Sequence, residues 1–224
     1  MKLLDHLFGK KKTMTTISII GTGNMARGIG SRAIASGQTV QFLARDGAKA
    51  SELAAELGPG ASAGSIADTP AAGVVVLALP FDGAKDYVST NAGVLSGKVL
   101  VDISNPVNFE TFDSLVVPAD SSAAQEIAAL VPDAQVVKAF NTTFATTLAE
   151  GKAGDKPLDV FIAGAQEARA QVSGFVRDAG LRPLEVGGLH HARELEGFQL
   201  LVMALQANSA YDSFNWATGL NILD

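Results

Sequence analysis

The sequence predicts an α/β protein in which helices cover both faces of a doubly wound, mostly parallel sheet, with a small C-terminal α/β lobe. Three observations indicate this fold class. Apolar runs of strand length alternate with segments of helical periodicity. The run from Val74 to Leu79 is continuously apolar, as expected of a parallel strand that is covered on both faces. A glycine-rich turn directly follows the first apolar run.

The periodicity places the elements in order along the chain. Strands are predicted at residues 16–21, 38–44, 73–78, 98–102 and 135–139, with a short strand near 61–63. Helices are predicted at about 24–36, 47–57, 82–91 and 122–130. After Phe140 the pattern changes, and strands at 158–163 and 182–186 flank a helix at 166–179. A long helix at about 192–212 follows, and this C-terminal third is predicted to form the smaller lobe.

Composition excludes several classes of protein. The 224 residues are 47% hydrophobic and 18% charged, which is typical of a globular chain. A net charge of −6 argues against a nucleic-acid surface. The sequence has no cysteine, which excludes disulfides, thiolate metal sites and a cysteine nucleophile, and which fits the reducing cytoplasm. No apolar run reaches the roughly 18 residues of a membrane span, and the N-terminus lacks the charge order of a signal peptide.

The turn after the first strand has the spacing of a dinucleotide-binding fingerprint, Gly21-Thr22-Gly23-Asn24-Met25-Ala26. Gly21 permits a tight turn, Gly23 lets the backbone approach a pyrophosphate, and Ala26 lets the helix pack close to the strand. The amides at the start of the helix then face the phosphates. A purely structural turn is the alternative. Because a strand precedes the motif and a helix follows it, we expect a Rossmann-type domain over residues 16–142. We also expect a flexible lead-in over residues 1–15 and a small domain over residues 143–224 that closes the cleft.

The end of the second strand predicts a preference for NADP(H) over NAD(H). NAD sites place an acid here to bind the ribose hydroxyls, whereas a basic residue accommodates a 2′-phosphate. Arg45 occupies this position, and its planar guanidinium suits a phosphate. Lys49, one helical turn further on, adds a second positive charge. Alternatively, both are ordinary surface cations; Asp46 is either the cap of the next helix or a ligand of the ribose.

Three further strand ends are expected to line the cleft, because ligands of parallel sheets bind beyond the carboxyl ends of the strands. Pro80 ends one strand and leaves Phe81 to line the cofactor channel or to pack in the loop. Asn105 follows the next strand, either near the nicotinamide or in a structural Asn-Pro turn. Asn141 and Thr142 take the same position one strand later.

Acid–base candidates are few in the sequence. His190 and His191 either face the cleft or lie in solvent, and no His or carboxylate cluster has metal-ligand spacing. No nucleophile–base arrangement is evident. Hydride transfer between two bound redox cofactors fits this composition, because the protein needs only to position the two cofactors and supplies no proton donor.

Taken together, these segments resemble the NADP oxidoreductases that depend on coenzyme F420, a deazaflavin. The resemblance extends over nearly the whole chain after Thr15. It is carried by residues 17–26, 44–49, 79–81, 102–107, 136–142, 180–189 and 192–196. The order of these segments, including Lys-Ala-Phe-Asn-Thr at 138–142 and GLRPLEVGGL at 180–189, is more specific than the glycine motif.

The resemblance implies a dinucleotide-binding domain, a small C-terminal domain, often a homodimer, and hydride exchange between nicotinamide C4 and deazaflavin C5. It places Thr22, Arg45 and Lys49 on NADP, and Pro80, Phe81 and Asn141 near the nicotinamide. The stretch 215–220 would close on the deazaflavin, with Leu220 near its ring. The full set of predicted cofactor contacts is Gly21, Thr22, Gly23, Asn24, Met25, Ala44, Arg45, Lys49, Leu79, Pro80, Asn105, Ala139, Asn141 and Leu220, with no metal ligand.

The chain departs from the family at one contact, and other functions remain open. Family members commonly have serine where this chain has Ala44, so one phosphate hydrogen bond is lost. The cytosolic domain of membrane ferric reductases shares the stretch 138–142 and passes hydride to FMN or FAD, which makes a flavin reductase the first alternative. A non-catalytic NADP(H) sensor is the second. Imine reductases similar to pyrroline-5-carboxylate reductase need a longer C-terminal region, and the lysine of β-hydroxyacid dehydrogenases has no evident counterpart.

Overall fold

The computed structural model describes residues 16–211, 213, 214 and 216–223. Its main feature is one eight-stranded sheet in the order β10-β9-β6-β5-β4-β1-β2-β3. A separate two-stranded hairpin, β7 and β8, lies outside this sheet. The strands are β1 Thr16–Ile20, β2 Thr39–Ala44, β3 Ala61–Ser65, β4 Val74–Leu77, β5 Val99–Asp102, β6 Gln135–Ala139, β7 Lys152–Ala153, β8 Lys156–Pro157, β9 Asp159–Gly164 and β10 Arg182–Gly187.

Seven α-helices of the described chain pack on the two faces of the sheet. They are α1 Asn24–Ala35, α2 Gly47–Leu57, α3 Phe81–Leu95, α4 Ala123–Leu130, α5 Ala145–Glu150, α6 Gln166–Asp178 and α7 Ala192–Ala207. Alternate strand residues enter two different hydrophobic clusters: Ile19 packs with α1, α2, α5 and α6, whereas Ile20 packs with α3 and α4. The predicted fold class, a doubly wound and mostly parallel sheet, is confirmed.

The C-terminal third extends the main sheet at the edge formed by β6. Strand β9 pairs antiparallel with β6, and β10 pairs parallel with β9. The predicted strands at 158–163 and 182–186 are therefore present, and they continue the sheet of the first part of the chain. Helix α7 then returns to the region above β5 and β6, where it contacts α4.

Several element boundaries differ from the prediction. Helix α3 begins at Phe81 and continues to Leu95 because its apolar face continues beyond Asn91. Helix α7 ends at Ala207, since the side chain of Asn208 accepts a hydrogen bond from the amide of Ala210 and turns the chain. The predicted end at Asp212 and the lead-in over 1–15 lie outside the described residues. Helix α5, the β7–β8 hairpin and a short 3₁₀ helix at Leu189–His191 were not predicted.

The parallel strands β1, β2, β4, β5 and β6 direct their carboxyl ends to one edge of the sheet. This edge is where doubly wound proteins bind their ligands. Within the described part of the chain, no helix is both long and apolar enough to cross a bilayer.

Candidate cofactor-binding site

The turn between β1 and α1 has a geometry that requires glycine at its first position. Gly21 has φ of +117°, and its amide donates to the carbonyl of Leu43 at 2.9 Å. A Cβ at this residue would lie 2.4 Å from the carbonyl oxygen of Ala78, so a larger residue cannot fit without a backbone shift. At Gly23 a Cβ would meet nothing within 4 Å, which leaves the backbone accessible from the cleft.

The N-terminus of α1 is open to an anion. Gly23 caps the helix without a side-chain hydrogen bond, and the first intrahelical bond is donated by the amide of Arg27. The amides of Asn24, Met25 and Ala26 thus lack helical partners, and the first turn carries no acidic residue. Unpaired amides and the helix dipole together favour a phosphate group here.

At the end of β2 the structure gives different roles to Arg45 and to Asp46, which follows it. Asp46 is the N-cap of α2, and its Oδ1 accepts from the amides of Ala48 and Lys49 at 3.1 and 3.3 Å. Arg45 is exposed and forms no ion pair with any described residue. Lys49 is also exposed, with its Nζ 3.9 Å from Asp46 Oδ2. These hydrogen bonds show that Asp46 serves as the cap of α2, and Arg45 is left available to a phosphate.

Three adjoining cavities follow the carboxyl edge of the sheet. The first, of about 590 Å³, lies between Arg45 and α3. It shares Leu79 and Pro80 with the second, of about 720 Å³, which reaches Gly23. The third, of about 370 Å³, lies between the strand ends and α7 and shares Asn24, Met25, Ile103, Asn105 and Met203 with the second. The cavities form one extended cleft, as a dinucleotide requires.

In the third cavity, a pair of asparagines joins two neighbouring strand ends. The Nδ2 of Asn105 donates to the backbone carbonyl of Asn141 at 2.9 Å, and the Nδ2 of Asn141 donates to Asn105 Oδ1 at 3.0 Å. Asn141 also donates to the carbonyl of Leu195 on α7 at 3.1 Å. This arrangement fixes Asn141, which is 2% exposed, and its Oδ1 has no hydrogen-bond partner in the described part of the chain. A buried oxygen without a partner beside a cavity is suited to accept a hydrogen bond from a ligand.

Below the asparagine pair lies a fully buried ionic cluster. Lys138 Nζ contacts Asp102 Oδ2 and Glu196 Oε1, each at 2.7 Å, and donates to the carbonyl of Ser104 at 2.6 Å. Glu196 also accepts from the amides at the start of α4, at 3.0 Å from Ala123. Burial raises the pKa of the Glu196 carboxyl, while the neighbouring Lys138 ammonium opposes that shift. The cluster connects α7 to β5 and β6 and so holds the helix over the cleft.

Aromatic side chains close the outer end of the third cavity. Trp216 lines it and packs edge-on against Phe144, with ring centroids 6.0 Å apart. The Trp216 ring also lies 5.8 Å from that of Phe112, which belongs to the loop after β5. Gln206 holds this part of the tail, since its Oε1 accepts from the amide of Trp216 at 2.8 Å. Two distant chain segments therefore meet at the mouth of the cleft.

The structure brings most of the predicted site residues to this cleft. Gly23, Asn24, Met25, Arg45, Leu79, Pro80, Phe81, Asn105 and Asn141 line its cavities. Gly21, Thr22, Ala44 and Ala139 lie at the strand ends beside them, Lys49 is on the exposed first turn of α2, and Thr142 is buried next to Asn141.

Leu220 is not brought together with these residues. It lines a separate apolar cavity of about 610 Å³ with Phe161, Val186 and Phe198. His191 lines that same cavity. Of the tail stretch 215–220, Trp216 is the residue that lines the cleft, and Asn215 lies outside the described residues.

Sequence reasoning missed several residues of the cleft. Ser104, Tyr87 and Gln199 are buried, line the cavities and have side-chain oxygens without a partner. Burial raises the pKa of Tyr87 to about 12, so its hydroxyl remains a donor at neutral pH. For Tyr87 and Gln199, the available signal was a polar residue on the apolar face of a predicted helix. No group of metal-binding side chains occurs among the described residues.

Solved structures of other proteins share the fold of this chain. A crystal structure from Arthrobacter sp. FB24, named as a candidate F420-dependent NADP reductase, matches with a TM-score of 0.79 and 25% identity. The match covers 93% of this chain and 99% of that one. A hypothetical protein from Sinorhizobium meliloti matches with a TM-score of 0.72 and 30% identity, over 80% of this chain and 88% of that one. This chain therefore shares its fold with a protein named as an NADP reductase.

A family model also matches the first part of the chain. It is described as "NADP oxidoreductase coenzyme F420-dependent" and matches residues 16–106. A curated relative, the Metalloreductase STEAP3 of Rattus norvegicus, is 32% identical over 193 residues, or 86% of this chain. The chain spans only 38% of that relative's length.

Proposed function

We propose that the protein transfers a hydride between NADP(H) and coenzyme F420. The observation that carries this proposal is the chemistry of the third cavity. Its described lining residues include no ionisable side chain; they are Asn24, Met25, Ile103, Asn105, Phe140, Asn141, Thr143, Phe144, Ala145, Thr146, Gln199, Met203 and Trp216. Reduction of a carbonyl or imine uses a positioned proton donor, whereas exchange between two redox cofactors depends on orientation.

Each part of the cleft has a role in this proposal. The nicotinamide, when bound, supplies or accepts the hydride at its C4 atom. The backbone at Gly21–Ala26 binds the pyrophosphate, while Arg45 and Lys49 hold the 2′-phosphate. Leu79, Pro80 and Phe81 line the path between these groups, and Asn141 orients the nicotinamide with support from Asn105.

The C-terminal region would supply the second half of the site. Residues 143–224 form, in this proposal, the small domain that closes the cleft, since Met203 of α7 and Trp216 of the tail line the third cavity. The planar ring of Trp216, supported edge-on by Phe144, offers a stacking surface for a deazaflavin and helps to exclude water from the transfer. Leu220, in its separate cavity, would reach the acceptor only if the tail moved.

A flavin acceptor is the second candidate. It is favoured by the 32% identity to a protein named as a metalloreductase. The aromatic residues at the outer end of the third cavity suit the three-ring system of a flavin as well as that of a deazaflavin. The NADP half of the cleft would be the same with either acceptor.

The assay that decides between these functions mixes the purified protein with NADPH and one of three acceptors: oxidised F420, FMN or a cyclic imine. We expect NADPH oxidation together with loss of deazaflavin absorbance, and little turnover with FMN. Turnover with FMN alone would transfer the assignment to a flavin reductase. Tight NADPH binding without turnover on either acceptor would instead indicate a sensor, and turnover of a cyclic imine would contradict the proposed acceptor class.

We further propose that the protein is a cytoplasmic homodimer. Helix α7 exposes Phe198, Leu201 and Leu205 at helical spacing, with Leu201 65% exposed. Sedimentation of the purified chain should give twice the monomer mass, and Leu201→Glu should shift the protein to the monomer by placing charge on this face. The exposed Ser89→Glu on α3 is the control. A monomeric parent protein would refute the proposal.

A further inference from the structure

Two buried side chains in the lining of the third cavity have amide oxygens without a hydrogen-bond partner among the described residues. One is Asn141 Oδ1 at the end of β6, and the other is Gln199 Oε1 on α7. The residues are 2% and 1% exposed, and both line the cavity of about 370 Å³. Buried acceptors are normally paired in folded proteins, so two in one cavity indicate a ligand that donates two hydrogen bonds.

The orientation of the first acceptor is fixed by its own amide group. Both N–H bonds of Asn141 are used, toward Asn105 Oδ1 at 3.0 Å and the carbonyl of Leu195 at 3.1 Å. An asparagine has two donors and one carbonyl oxygen. The unpaired Oδ1 is therefore the atom of this side chain that can still accept a hydrogen bond.

The position of the second acceptor is fixed by the helix that carries it. Gln199 follows Glu196 by three residues, so the two side chains lie on the same side of α7. Glu196 is anchored to Lys138 Nζ at 2.7 Å and to the start of α4. This anchor holds Gln199 in the lining of the cavity that Asn141 also lines.

We propose that Asn141 and Gln199 together accept the two N–H bonds of a primary carboxamide, and that this group is the nicotinamide carboxamide of NADP(H). A primary amide presents two donors on one nitrogen, which matches two unpaired acceptors in the lining of one cavity. Gln199 thereby becomes a cofactor-positioning residue that fixes the plane of the nicotinamide ring. The inference deepens the proposed function and depends on it for the identity of the dinucleotide.

The test compares binding of NADP⁺ with binding of its 3-acetylpyridine analogue, which has a methyl ketone in place of the carboxamide. Dissociation constants are measured without any acceptor. The parent protein should bind NADP⁺ more tightly than the analogue. Gln199→Met should weaken NADP⁺ binding by about threefold to tenfold, the range of one neutral hydrogen bond, and leave binding of the analogue unchanged.

Gln38→Met is the matched control. Gln38 is 4% exposed and its Oε1 also lacks a partner, but it precedes β2 at the end of the sheet opposite Arg45. This variant should retain the parent preference for the carboxamide.

Two results would overturn the inference alone: equal affinity of the parent protein for both cofactors, or an unchanged affinity ratio in Gln199→Met. The parent comparison is informative even if the variant fails to fold. Failure of the parent protein to bind any NADP form would refute the proposed function as well.

Discussion

Replacing Lys138 with methionine should lower the free energy of unfolding by about 3–5 kcal/mol. The variant would leave Asp102 and Glu196, both fully buried, without the ammonium group that now lies 2.7 Å from each of them. A buried charge without its partner keeps the desolvation cost and loses the attraction that offset it. Urea unfolding of the parent and the variant at neutral pH measures the difference.

The pH dependence of this loss follows from the pKa of Glu196. Burial raises this pKa, so the folded chain binds the proton more tightly than the unfolded chain does. The resulting stabilisation is present at low pH and is lost as the pH rises through the raised pKa. Removing Lys138 removes an influence that lowers the pKa, so the deficit of Lys138→Met should shrink as the pH falls and the carboxyl becomes protonated.

Lys85→Met provides the control for this experiment. Lys85 also lies 2.7 Å from a carboxylate, that of Glu126, but the two side chains are 36% and 25% exposed. Partly exposed pairs contribute about 0–1 kcal/mol, so this variant should change stability little. Equal losses of unfolding free energy in the two variants would show that the buried cluster stabilises the fold no more than a partly exposed ion pair does.

Replacing Arg45 with alanine should weaken NADPH binding by about tenfold to a hundredfold, while NADH binding changes less than about twofold. A hydrogen bond to a charged group contributes about 1.5–3 kcal/mol, and NADH lacks the phosphate that would accept it. Arg45 has no ion pair with a described residue, so its loss should not disturb the fold. Fluorescence titration with each dinucleotide gives both constants.

Two further variants separate the role of Arg45 from general charge effects. Arg177→Ala removes an exposed arginine on α6, away from the cleft, and should leave both affinities unchanged. Asp46→Ser keeps a capping oxygen at the start of α2 but removes the carboxylate. If Asp46 acts only as the cap, NADH binding is preserved. An unchanged NADPH-to-NADH ratio in Arg45→Ala would refute the phosphate assignment.

Local patterns in the sequence were sufficient for the first half of the fold. The strand, turn and helix around Gly21 are adjacent in sequence, so periodicity and glycine spacing predict their arrangement directly. Helix α2 and strand β6 have the predicted bounds, 47–57 and 135–139. The end of α7 was less predictable, because it depends on one side-chain hydrogen bond at Asn208.

The sequence by itself determined the β1–α1 phosphate turn and the position of Arg45 at the end of β2, because each depends on neighbours in the chain. Only the tertiary structure decided that β9 pairs with β6, that Lys138 contacts Glu196, 58 positions further along, and that Gln199 and Asn141 line one cavity. Tertiary structure also placed Leu220 in a cavity apart from the cleft. These contacts join residues that are far apart in sequence, and they depend on burial and charge pairing across the folded chain. Local periodicity therefore cannot predict them.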